Sequence, residues 1–73
     1  MLIINEHTAN KIIAEYEAKR KEYYNTGGYN GPHCFPSGLE GAANVCKDAI
    51  SVRNKFGGDL QIILSDEIVK GVA

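Results

Sequence analysis

The sequence predicts a small α+β protein, with two helices packed on one face of a small sheet in the order β-α-loop-α-β-(β). Two long segments with apolar residues at helical spacing flank a middle rich in glycine and proline. Short runs of branched apolar residues, Leu2-Ile3-Ile4 and Leu60-Gln61-Ile62-Ile63-Leu64, lie outside those segments and read as strands. At 73 residues the chain is expected to form one domain, residues 1–73, with a small core and modest stability.

Leu2-Ile3-Ile4 is the first strand. Asn5 is a candidate helix N-cap, and Glu6 suits the first turn, where the helix dipole favours a negative charge. The first helix is expected to reach about Tyr24, with Ala9, Ile12, Ile13 and Tyr16 on one face. Glu15 with Lys19, and Glu17 with Lys21, stand four residues apart in the favourable order. Apart from Tyr23 and Tyr24 its second half is polar all round, so it is expected to project past the core or to be covered by a partner.

Residues 25–36 hold three glycines and two prolines, which exclude regular helix or central strand. They also hold Tyr29, His33, Cys34 and Phe35, which a simple spacer does not need. Long irregular loops in small domains are functional or disordered, so this stretch is the expected location of a site.

Ser37-Gly38-Leu39-Glu40 fits a capping box, in which the serine caps a backbone N–H and the glutamate reaches back. Leu39, Ala42, Ala43, Cys46, Ala49, Ile50, Arg53 and Phe56 follow as one stripe on a second helix. Gly57-Gly58 ends it, and Lys55 complements its C-terminal end. In the strand at residues 60–64 the apolar residues point both ways, a pattern found where both faces are covered. Two helices cover one face only, so a second chain, a ligand or the C-terminal segment is expected on the other. Residues 68–72 are read as a returning strand because three of them are β-branched. The alternative is a short helix capped by Ser65, with Asp66 and Glu67 in its first turn.

Composition excludes several functions. Net charge is −1, with 23% charged and 44% hydrophobic residues. No global field draws such a chain onto nucleic acid or an anionic membrane. No apolar run approaches the roughly 18 residues of a membrane span. Met1-Leu2-Ile3-Ile4 is cut off by Asn5-Glu6-His7 and lacks the form of a signal peptide. Two cysteines are too few for a disulfide scaffold, and reduced thiols in the cytoplasm are expected.

Chemical motifs are sparse. His7, His33, Cys34 and Cys46 could form a Cys2His2 set, but their spacing fits no zinc pattern, so neither a metal nor a cofactor is expected. Cys34, just before a helix N-terminus, is a nucleophile candidate that would need a base such as His7. Against that reading, 73 residues leave little wall for a substrate pocket, and the chain is not expected to be an enzyme. The loop matches neither of the two glycine fingerprints for phosphate binding. An anion site built from Arg20, Gly28, Ser37 and Arg53 is the alternative. In Lys19-Arg20-Lys21 the cations point about 100° apart and acids surround them, so nucleic acid is not expected.

The remaining signal is compositional. Tyr23, Tyr24, Tyr29, Asn30, His33 and Phe35 resemble the make-up of adaptable binding surfaces, with rigid aromatic area among small polar residues. The leading expectation is a small cytoplasmic binding or regulatory protein that occupies a partner protein's surface, of inhibitor or adaptor type, and forms a homodimer. A homo-oligomer that sequesters a small anionic ligand, such as a nucleotide, comes second. A Cys34-dependent enzyme comes third.

Overall fold

The computed structural model describes residues 1–72. Strand β1, Leu2–Ile4, leads into helix α1, Glu6–Asn25; helix α2, Ser37–Phe56, then runs back to strand β2, Ile62–Leu64, and helix α3, Asp66–Val72, closes the order. The two strands pair antiparallel, with Leu2 opposite Leu64, Ile3 opposite Ile63 and Ile4 opposite Ile62. The fold is α+β, with the α1–α2 hairpin packed on a two-stranded sheet.

The first helix begins where its sequence places it. Asn5 is extended, and its side-chain oxygen accepts a hydrogen bond from the Thr8 N–H at 2.9 Å, satisfying a donor that the first turn leaves free. Ala9, Ile12 and Tyr16 then turn inward at helical spacing. From α2 they meet Ala42, Ala43 and Cys46, whose small side chains let the two helices approach closely. Ile4, Ile62, Leu64 and Val69 complete a core of ten residues.

Four features differ from the sequence reading. Residues 66–72 form a helix: Ile68, Val69 and Val72 recur at helical spacing and turn toward the core, with Asp66 and Glu67 in the first turn, where the dipole favours acids. β2 covers residues 62–64 rather than 60–64, because β1 offers only three residues for pairing. The capping box does not form. Pro36 takes the N-cap position of α2, and Glu40 is occupied by Tyr16, whose hydroxyl donates to the carboxylate at 2.8 Å. Phe56 is 75% exposed, because it lies about 80° round the helix from Cys46.

The alternation in β2 decides where apolar surface is left over. Ile62 and Leu64 are buried, whereas Ile63 and its cross-strand neighbour Ile3 are 55% and 70% exposed. α3 packs on α1 and β1 and adds Val69 to the core, so among the described residues the C-terminal helix leaves the outer sheet face open. At its start, Asp66 Oδ1 lies 2.7 Å from the Met1 ammonium and has no other hydrogen-bond partner among the described residues.

Candidate functional site

The end of the hairpin opposite the sheet is built by backbone contacts. Thr26 ends α1: its N–H donates to the Glu22 carbonyl at 3.1 Å, and its hydroxyl donates to the same carbonyl at 2.8 Å. Gly27, at φ 109°, turns the chain into a single 3-10 turn, Gly28–Asn30, which the Gly31 N–H closes on the Gly28 carbonyl at 3.0 Å. A Cβ at Gly31 would run into the Thr26 carbonyl, so only glycine fits there. This tight turn places Tyr29 at the surface with 93% of its area exposed.

Beneath the turn lies an aromatic cluster. Phe35 meets Tyr16, Tyr23 and Tyr24 edge to face, at centroid distances of 6.4, 5.3 and 6.3 Å, and Tyr23 meets Tyr24 at 5.1 Å. Such pairs add about 0.5–1.5 kcal/mol each beyond the area they bury, which fixes the tip to the hairpin. The predicted binding residues therefore divide by role. Phe35 and Tyr23 are half-buried and hold the tip, while Tyr24, Tyr29, Asn30 and His33 face outward. Tyr23, Tyr29, His33 and Phe35 share one shallow cleft of about 370 Å³. Tyr24, 57% exposed, lies on another side of the tip, with the Arg20 guanidinium 5.3 Å from its ring centroid.

His33 and Cys34 also border a polar cleft of about 410 Å³ against Glu15, Lys19 and Glu22. There His33 Nε2 lies 3.3 Å from a Glu22 carboxylate oxygen. His7, the base considered for Cys34, sits in the first turn of α1, about 27 Å along the helix from its far end. It is too distant to activate that thiol. Cys46 is fully buried, and burial pushes its thiol pKa up, away from the reactive thiolate. Among the described residues no three His, Cys, Asp or Glu side chains gather as a metal site would require.

The four candidate anion residues do not converge within one chain. Gly28 and Ser37 belong to the tip, whereas Arg53 is sixteen residues along α2 from Ser37, about 24 Å away. There Arg53 is held by Glu6, its two terminal nitrogens donating to the two carboxylate oxygens at 2.9 and 2.7 Å. This hydrogen bonding lowers the Glu6 pKa and raises that of Arg53. Arg20 stays near the tip beside Tyr24, on a cleft of about 650 Å³ that also holds Glu17, Lys21 and Lys47. Glu17 pairs with Lys47 at 3.5 Å in place of the expected Lys21, so that cleft carries both signs of charge.

Sequence reasoning missed the part that Tyr16 and Glu40 play in positioning the tip. Burial raises the Tyr16 pKa, and the hydrogen bond to Glu40 raises it further, keeping the phenol a donor. Pairing Tyr16 with Glu40 required knowing how the hairpin aligns, because they stand 24 residues apart. The chain matches no known protein family, no curated protein and no solved structure.

Proposed function

We propose that this chain is a binding protein that works by pressing the aromatic tip of its helical hairpin against a partner protein. The observation that carries this reading is the contrast between Tyr29 and its support. The ring is 93% exposed, yet it stands on a closed turn above four interlocked aromatic side chains. An exposed tyrosine on a firm base loses little conformational freedom on docking, and tyrosine is prominent among interface anchors. Tyr24, Asn30 and His33 supply further aromatic area and hydrogen-bonding groups around it. The exposed aromatic surface favours occupation of a partner over catalysis, and the His7 imidazole lies too far from Cys34 to serve as its base.

Residence in the cytoplasm is part of the same proposal and is supported by two cysteines that remain unbridged. No described helix is long and apolar enough to cross a membrane.

Tyr24→Ala and Tyr29→Ala variants test the reading. Tyr29 stands clear of the aromatic cluster, so its variant is expected to keep the circular dichroism and stability of the unaltered chain. Tyr24→Ala also removes edge-to-face contacts with Tyr23 and Phe35 and is expected to keep its helices at slightly lower stability. Each variant is expected to retain a partner protein, isolated on the unaltered chain from its own cells, at least about tenfold more weakly, as loss of a hot-spot aromatic does. Undiminished retention by both would overturn the assignment of the tip.

A further inference from the structure

α2 carries a second apolar face that the other described residues leave bare. Val45, Val52 and Phe56 are 49%, 56% and 75% exposed. Spacings of seven and four residues put them within about 20° of one line along the helix. That line runs about 100° round the helix from Cys46, the buried residue of the inner face. Beside it lies a cleft of about 320 Å³, with Ala49 and Val52 on one side and Leu60 on the other. Asp48 and Lys55 follow the line on one flank, and among the described residues neither forms an ion pair. The Lys55 ammonium instead lies 5.3 Å from the Phe56 ring centroid, which holds the cation beside the bare face.

We propose that this face binds a second copy of the same chain, α2 against α2, antiparallel about a two-fold axis close to Ile50 and Ser51. Charge complementarity identifies the occupant. An antiparallel two-fold pair brings the same flank of both helices together, and that flank carries one acid and one base. With the axis at Ile50 and Ser51, Val45 faces Phe56 of the second copy, and Ala49 faces its Val52. Asp48 then comes within about 3 Å, measured along the axis, of Lys55 of the second copy, and the symmetry repeats the contact. Helices packed this way lie about 8–10 Å apart. The bare stretch spans only about 17 Å of helix, so the interface falls below the roughly 800 Å² per partner of a stable complex and gives a weak, concentration-dependent dimer. This pairing uses no tip residue and stands or falls independently of the tip's role.

Sedimentation equilibrium on the full chain tests it. The chain is expected to be monomeric near ~5 µM and to dimerise toward ~500 µM, as befits a small interface. Val52→Glu is expected to abolish the dimer with circular dichroism unchanged, since the residue is exposed in the monomer. Asp48→Lys and Lys55→Asp are each expected to weaken the dimer about threefold to tenfold, as exposed ion pairs do. An equal mixture of those two variants is expected to associate at least as tightly as the unaltered chain, because a flank with two bases on one copy then meets a flank with two acids on the other. A monomer at every concentration would overturn the proposal, as would a mixture no tighter than its components. So would a dimer that survives Val52→Glu and is lost with Ile63→Lys, which would place the contact on the open sheet face.

Discussion

Glu6 and Arg53 close the base of the hairpin, from the first turn of α1 to the last turn of α2. Their two-pronged geometry suits a guanidinium and a carboxylate. Hydrogen bonding to Arg53 lowers the Glu6 pKa, so the folded state holds its carboxylate ionised to lower pH than the unfolded chain does. The contribution is fully present above the unfolded glutamate value of about 4.3. It is lost as pH falls through that value and then through the lowered folded one, because the unfolded chain takes up the proton first. Urea midpoints should therefore drop between neutral and acidic pH, and the drop should be smaller in Glu6→Gln. Equal drops in both proteins would remove Glu6 from the acid response. The pairing was not visible in the sequence, where Arg53 reads as a member of the second helix's stripe and as a candidate anion ligand. Its partner lies 47 residues away, and only the closing of the hairpin brings them together. Asn5 was legible because a cap acts within one turn of its own position.

Local rules account for the two long helices and fail for the short segment. α1 and α2 run for 20 residues each, long enough for the helical period to be unambiguous. The Asn5 cap and the Gly57 stop add to it, even though the Ser37–Glu40 capping box does not form. Residues 66–72 carry β-branched side chains that suit either form, so packing on α1 and β1 decided for helix. Within α2, Gly41 is a weak point of the monomer: a Cβ there meets nothing within 4 Å. Gly41→Ala is expected to stabilise the fold by about 0.5–1 kcal/mol, the usual gain on replacing an interior helix glycine. Ile12 is the opposite case, fully buried between the helices and the sheet. Ile12→Ala is expected to cost about 2–5 kcal/mol through lost burial and the cavity left behind. Chemical denaturation of both variants checks the pair. A destabilised Gly41→Ala would mean that something unseen packs against that side of α2. An unaffected Ile12→Ala would contradict the position of the core.

The molecule is elongated, 43 × 25 × 15 Å, with a radius of gyration of 13.4 Å. A rounder chain of this length would have a radius of about 11 Å. The excess comes from hairpin arms about 30 Å long standing on a two-stranded sheet. The ten core residues lie along α1 as far as Tyr16 and on α2 from Ala42 to Cys46, with the sheet and α3. α1 continues for nine residues past Tyr16 into the aromatic tip. Among the described residues the exposed large apolar side chains lie in three regions: the tip, the bare face of α2, and the sheet, with Ile3 and Ile63 on its outer side and Met1 and Leu2 at the start of β1. The sequence displayed the first and the last, through tyrosine composition and the two-sided strand. The α2 face was hidden because Phe56 looked like a member of the inner stripe.

Site-specific photo-crosslinking in the protein's own cells tests the account most directly. A photoreactive phenylalanine analogue would be placed singly at Tyr29, at Lys11 on the exposed side of α1, at Val52 and at Ile63. One discrete adduct with another protein is expected from position 29 and none from position 11, while position 52 is expected to give an adduct of twice the chain mass only with the purified chain at about 500 µM, where the small interface is filled. A discrete adduct with another protein from position 63 or 11, with position 29 silent, would contradict the account.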